Sequence, residues 1–399
     1  MIPKYVAALL WLIFCVAIPC PGQSPTNTQQ QVEVHLHEAH RLLSENKPAE
    51  AIPEFRAVIS LDPSNADARG NLGVLLFFQG NYTTAIPELR EALRLKPDLW
   101  KIQALLGMGE RRSGDSAAAR ADLETAFPQL KEQKIRVESG LELIEIYTAS
   151  EEMDKASAVV STLRALDPEN QEVLYAAYRV HSDMAREAVF SLSLLAPKSA
   201  LMYQAAAHEA ARRGDTAGAI QDYRQAIKLN PRLPGVHFEL AEMLNSLPAS
   251  SALHAEAQSQ YETALAQNPF DEKAELKLAE IAAHNSDEKK AYELYTRAVE
   301  LEPDDPEANY ELAKILLSMN QPEKAEKLLE HAAQLDPTSA TIHFRLGTVY
   351  HRLGRNADAA REVEEYQKYK VLKDKLRDTW KDLHFDPEKP DMYGGDNEK

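Results

Sequence analysis

From Val32 to Lys373 the apolar residues recur at three- and four-residue spacings, the signature of amphipathic helices. The stretch from Ala66 to Pro97, ADARGNLGVLLFFQGNYTTAIPELREALRLKP, shows the unit from which the rest is built. One helical pattern runs to Gln79, a second runs from about Thr83 to Leu95, and Gly80 lies between them. The unit returns. Pro63 and Pro97, Pro197 and Pro231, and Pro269, Pro303 and Pro337 are spaced 34 residues apart. A fixed period of that size predicts stacked helix pairs rather than one globular core. Ten pairs can be laid out, over 32–65, 66–99, 100–133, 134–170, 171–199, 200–233, 234–271, 272–305, 306–339 and 340–373.

Small residues recur where two helices must touch. On the second helix of each pair the site holds Ala51, Ala85, Ala119, Ala156, Ala185, Ala219, Ala257, Ala291, Ala325 and Ala359. On the first helix it holds Ala39, Gly73, Gly107, Ala207, Ala241, Ala279, Ala313 and Gly347, with Ile144 as the misfit of the fourth pair. Helices 8–10 Å apart leave no room for a large side chain at their crossing. One turn beyond each alanine stands a larger apolar residue, among them Phe55, Leu89, Leu123, Tyr223, Tyr261, Tyr295, Leu329 and Val363, suited to plug the gap to the next pair. Asn46, Gly80, Gly114, Gly214, Asn320 and Gly354 fall between the helices and tolerate the left-handed backbone that ends one.

The last pair carries His343, Leu346, Gly347, Tyr350, Ala359 and Val363, and the eighth carries Leu278, Ala279, Ala291, Tyr295, Ala298 and Pro303. This series resembles the tetratricopeptide repeat (TPR) family over roughly 32–373. The resemblance implies an all-α, right-handed superhelical solenoid of about ten helix hairpins. The expected organisation is an N-terminal array over 32–133, irregular repeats over 134–199, a C-terminal array over 200–373, and a capping helix end with an acidic tail over 374–399. It further implies a concave groove lined by the first helices, taking a protein or peptide partner. The residues it places there are Gln204, His208, Arg212, Phe238, Glu242, Leu276, Glu280, Tyr310, Lys314, Phe344 and Thr348. The family's clamp for a chaperone's C-terminal carboxylate finds only Asn71 and Lys101 in the first three pairs, where Leu36, His40 and Leu105 take the other places.

Charge and composition narrow the function. A net charge of −17 without a compensating basic stripe argues against a nucleic-acid surface. Residues 1–22 read as an export signal: Lys4, an apolar run from Val6 to Ile18, then Pro19, Pro21 and Gly22. The polar residues 23–31 read as a flexible spacer after it. The apolar run is short for a membrane span, so membrane contact is expected only if the segment is retained as an anchor. Both cysteines, Cys15 and Cys20, lie within that segment, leaving the exported chain without disulfides or thiolate chemistry.

Candidate chemistry is sparse. His35, His37 and His40 form one histidine cluster, but the sequence HLHEAH is not the zincin pattern, because Arg41 stands where the second histidine is required. Gly107-Met108-Gly109 lacks the lysine and hydroxyl residue that end a phosphate loop. Asn81-Tyr82-Thr83 is a glycosylation sequon at a turn. No catalytic constellation, metal site or cofactor motif is assigned. The reading is an exported, periplasmic or secreted, non-enzymatic scaffold. The alternative is a regulatory or substrate-presenting subunit of a cell-envelope enzyme or secretion complex.

Overall fold

The structure, a computed structural model, describes residues 27–247 and 251–382, and every regular element among the described residues is helical. The expected export segment 1–22, residues 23–26 of the spacer and the tail from 383 onward lie outside the described residues. The spacer ends earlier than expected. Helix α1 (Asn27–Ser44) already includes residues 27–31, because the run of glutamines there is a good helix former and no proline interrupts it.

The chain divides into two compact units after Phe190. In the first, α1 pairs with α2 (Pro48–Leu61), α3 (Ala66–Phe78) with α4 (Tyr82–Leu95), α5 (Trp100–Arg112) with α6 (Ser116–Ala126), and α7 (Gln133–Ala149) with α8 (Met153–Leu166). Helix α9 (Gln171–Leu195) carries the division within it. In the second unit the pairs are α10 (Ala200–Arg212) with α11 (Thr216–Leu229), α12 (Val236–Asn245) with α13 (Ser251–Gln267), and α14 (Glu272–His284) with α15 (Glu288–Leu301). Two more follow: α16 (Pro306–Ser318) with α17 (Pro322–Leu335), and α18 (Ala340–Arg352) with α19 (Asn356–Asp382).

The recurring alanines sit at the crossings. Ala51, Ala85, Ala119, Ala156, Ala219, Ala257, Ala291 and Ala325 are all fully closed to solvent. A side chain on Gly73 would meet Leu89 at 2.6 Å, and one on Gly107 would meet Leu123 at 2.7 Å. Phe55, Leu89, Leu123, Tyr261, Tyr295 and Leu329, one turn beyond the alanines, are buried as the plugs between pairs. Each buried apolar side chain of this size stabilises by about 1.5–3 kcal/mol. In the fourth pair the crossing falls at Gly140, packed on Leu163 and Phe127, so Ile144 is an ordinary core residue. Val363 departs from the series and is 44% exposed, as no further helix pair lies against it among the described residues.

The turns obey the same local rules. Asn46, Gly80, Gly114, Gly214, Asn320 and Gly354 all take positive φ between 58° and 93°. Glu151 and Ser286 hold the equivalent left-handed turns of two other pairs, where a glycine would be less strained. Capping completes the starts: Asn65, Asp115, Ser199, Asp215, Asp271, Asp287, Asp305 and Ser339 each accept a hydrogen bond from a backbone N–H of the first helical turn.

The fifth pair does not form; α9 runs unbroken for 25 residues instead. Two features of its sequence account for this. The reversing glycine or asparagine is missing between Gln171 and Leu195, and Tyr178 stands ten residues after Pro168, where the prolines spaced 34 residues apart are followed at that distance by alanine or glycine. A tyrosine there blocks the close approach of a second helix. Ala185 is consequently exposed rather than buried at a crossing, and Tyr178 is 67% exposed.

This contrast yields a test at two alanines that the repeat pattern treats as equivalent. Ala325→Leu overfills a closed crossing and is expected to destabilise its array by about 1–3 kcal/mol. Ala185→Leu is expected to stay within about 0.5 kcal/mol of the parent. Thermal unfolding followed by circular dichroism separates the two outcomes.

Candidate functional site

A polar latch fixes the two helices of several pairs to each other. In each, the fourth residue of the repeat on the first helix meets a partner on the second. His35 Nδ1 lies 2.6 Å from Glu54, Arg69 donates to Glu88 at 2.8 Å, and Gln103 donates to Asp122 at 3.0 Å. His237 meets Gln260 at 2.6 Å, and His343 meets Glu362 at 2.7 Å. The same position also reaches back to the period-marking proline. His237 and His343 each donate from Nε2 to the carbonyls of Pro231 and Pro337, at 2.8 and 3.0 Å. Asn309 and Arg69 donate likewise to Pro303 and Pro63. These side chains hold the stack in register.

The latch also disposes of the histidine cluster. His35 turns to Glu54, while His40 sits edge-on to Phe55 with ring centroids 6.2 Å apart. Their ring nitrogens do not converge, and among the described residues no group of three His, Cys, Asp or Glu side chains is placed to hold a metal. Gly107-Met108-Gly109 lies within α5, with Gly107 pressed on Leu123 and Ala119.

In the second unit the first helices are α10, α12, α14, α16 and α18, and the eleven residues singled out from the sequence all lie on them. Two of the eleven do not reach the surface. Leu276 is 3% and Tyr310 is 1% exposed, because this position on α14 and α16 turns inward between neighbouring pairs. The remaining nine are at least partly accessible. Gln204 donates to Glu239 at 2.8 Å and to the Pro234 carbonyl at 3.1 Å, and His208 lies 3.1 Å from Glu239. Arg212 pairs with Glu209 on its own helix. Phe238 is set edge-on to Tyr261, with centroids 5.6 Å apart. At the other end Phe344, 41% exposed, leans on Tyr366, and Thr348 bonds the Phe344 carbonyl.

Between these ends the structure assembles a charged centre from three successive first helices. Lys277 donates to Glu280 at 2.8 and 3.0 Å and lies 3.9 Å from Glu307; Lys314 donates to Glu311 at 3.0 and 3.1 Å. Second-helix tyrosines aim the carboxylates: Tyr261 donates to Glu242, and Tyr295 donates to Glu311 at 3.2 Å. Burial, reinforced by these carboxylates, drives both phenol pKa values upward, so the hydroxyls remain donors. Burial also raises the Glu280 pKa, with Glu311 and Glu242 adding to it and Lys277 opposing. Glu239, Lys277, Glu307 and Glu311 were missed in the sequence. The usable signal was the pair of i,i+3 charge couples, Lys277 with Glu280 and Glu311 with Lys314, each beginning one residue after an inward-turned position.

The first unit has a cavity of about 530 Å³ on the equivalent face, lined by α5, α7 and α9. Arginine–glutamate pairs bridge the helices across it: Arg111 and Arg112 both reach Glu142, and Arg179 reaches Glu145 at 2.6 Å. The Arg112 guanidinium also sits 5.1 Å above the Phe77 ring. None of the sequence-selected residues lies here. The crossing shift to Gly140 and the unbroken α9 take this stretch out of the repeat register on which the selection depended.

Family models agree with the repeat. Models described as tetratricopeptide repeat match residues 36–99, 253–306 and 310–369, and a second such model matches 282–333. A third, described as TPR repeat, matches 208–244. Cellulose synthase 1 operon protein C of Komagataeibacter xylinus is 28% identical over 229 residues, which is 51% of this chain. The match spans 16% of that relative's length. Among solved structures, MamA from Desulfovibrio magneticus RS-1 is 20% identical, over 43% of this chain and 96% of that one, with a TM-score of 0.39. Yeast Tom70 is 14% identical, over 86% of this chain and 77% of that one, with a TM-score of 0.36.

Glu110 offers a pH test of the first unit. It is 1% exposed, bonds Arg90 at 2.7 Å, and burial pushes its pKa from 4.5 up to about 7, with Asp122 adding and Arg90 opposing. The folded chain thus holds this proton more tightly than the unfolded chain. The associated stability is complete below about pH 4.5 and is lost as the pH rises through 7. Glu110→Gln stays neutral throughout, so its stability relative to the parent is expected to improve by about 1–2 kcal/mol between pH 5 and pH 8. An unchanged difference between the two pH values in denaturant titrations contradicts this.

Proposed function

Because this chain belongs to the tetratricopeptide repeat family, we propose that it is an exported, non-enzymatic scaffold that docks a protein or peptide on the first-helix face of its second unit. The supporting observation is the charged and aromatic centre of α12, α14 and α16, whose carboxylates are aimed by tyrosine hydroxyls from the helices behind. A surface organised before its partner arrives loses less entropy on binding. The chain's role is then to hold partners, and chemistry belongs to what it holds. Export rests on the pattern of residues 1–22, with a periplasmic or secreted destination. Among the described residues no helix is long and apolar enough to cross a membrane, so retention at a membrane would fall to that N-terminal segment.

A second reading has one observation in its favour. The relative from Komagataeibacter xylinus is named for a cellulose synthase operon, which favours a subunit that regulates or presents substrate to a cell-envelope enzyme.

Photocrosslinking from Phe238 and Phe344 in cells, with mass spectrometry of the adducts and of the mature N-terminus, tests both. The scaffold reading expects protein adducts at these positions, reduced when Glu242 and Glu280 are neutralised, and a chain beginning near Gln23. One stoichiometric enzyme in the adducts favours the second reading. Catalysis by the purified chain, abolished by a single substitution, contradicts both.

A further inference from the structure

The cavity lined by α5, α7 and α9 belongs to the first unit, whereas docking is assigned to the second. We infer that it is a separate binding site, for a primary ammonium group on an aliphatic stem, held between Glu138 and Glu172. Its volume of about 530 Å³ falls within the range of ligand pockets. Helix α7 lines it with three glutamates on one face, Glu138, Glu142 and Glu145, at i, i+4 and i+7. Two of the three are matched from neighbouring helices. Arg111 and Arg112 of α5 reach Glu142, and Arg179 of α9 reaches Glu145 at 2.6 Å. Glu138 is left over.

The repeat register accounts for the mismatch. Glu145 and Arg179 stand 34 residues apart and bridge α7 to α9. Glu138 and Glu172 are separated by the same 34 residues on the same two helices, so the offset that brings an arginine to Glu145 brings a carboxylate toward Glu138. Both carboxylates line the cavity, and neither makes a hydrogen bond or ion pair with any described residue. Burial pushes the Glu138 carboxyl above its ordinary range; Lys134 and Arg112 oppose this, while Glu172 and Glu142 add to it. Lys134, one turn earlier on α7, is itself exposed. The unliganded chain thus leaves a half-buried carboxylate without a donor.

An ammonium group answers this arrangement, because its N–H donors serve two carboxylates at once. Its stem has an apolar wall in Leu141, Ala176 and the ring of Tyr175. Tyr175 is 62% exposed and already carries the Arg179 guanidinium 6.0 Å from its ring centre. An acidic ligand finds no such opening, since each lining arginine is paired with a glutamate. Nor does a metal ion: among the described residues no group of three His, Cys, Asp or Glu side chains is placed to hold one. A lysine side chain of a polypeptide and a free polyamine both present the required group.

Isothermal titration calorimetry with the full chain tests this, using spermidine and a short peptide, blocked at both ends, with a single lysine among serines and alanines. In two counterpart peptides norleucine or glutamate replaces the lysine. Spermidine or the lysine peptide is expected to bind, the tighter of the two identifying the source, and the counterparts are expected to bind about tenfold more weakly or not at all. Glu138→Gln is expected to weaken binding about tenfold and Glu172→Gln about threefold. Glu138→Gln removes an unmatched half-buried charge, so its unfolding temperature is expected to equal or exceed the parent's, which separates lost binding from lost folding. Equal binding of the norleucine peptide, tighter binding of the glutamate peptide, no effect of Glu138→Gln, or no binding of either amine overturns the inference. Each of these leaves the docking reading of the second unit standing, which the crosslinks from Phe238 and Phe344 test separately.

Discussion

Two helices nest at the separation seen in these hairpins only where neither carries a side chain much beyond Cβ at the point of closest approach. Every other feature of the fold answers to that restriction. Alanine at the second-helix crossing closes the hairpin, and the bulky residue one turn later is then held at the depth needed to fill the gap to the next pair. Where the restriction fails the architecture changes with it. Tyr178 occupies a crossing site, and α9 continues as one helix with Tyr175 and Tyr178 left at the surface.

Because closure consumes one side of each first helix, the opposite side is left free to carry chemistry unrelated to stability. The second unit uses it for glutamates and lysines backed by buried tyrosines, and the first for arginine–glutamate bridges around a cavity. The tyrosines join the two roles. Tyr261 and Tyr295 plug the gap between pairs with their rings while their hydroxyls donate to the first-helix carboxylates Glu242 and Glu311. The array and its working face are thus specified by the same residues, which is how a repeat with a conserved geometry can present a particular surface.

The helix pairs were legible in the sequence because their determinants are local and periodic: alanine at the crossing, glycine or asparagine at the turn, proline marking the period. The failures have equally specific causes. Ile144 stood out in the sequence as the misfit of the fourth pair, and Gly140, one turn earlier, makes the contact that the repeat register did not point to. Ala185 satisfied the pattern by identity alone; no reversing residue preceded it. Leu276 and Tyr310 were placed on the groove by family analogy, but an apolar side chain at that position gains more from the neighbouring pair than from water. The charged centre itself was only half legible. Its i,i+3 couples are visible in one dimension, while the convergence of three helices on one spot is a property of the stack.

The nearest-neighbour character of such an array makes its stability measurable helix by helix. Native-state hydrogen exchange read by mass spectrometry therefore tests the central claim most directly. The account predicts slow exchange in α16 and α17, which have closed crossings and neighbours on both sides. It predicts fast exchange in α9 from Ala185 onward, where no second helix closes against it. Equal protection of these two regions would contradict the claim that small residues at helix crossings determine where the array holds together.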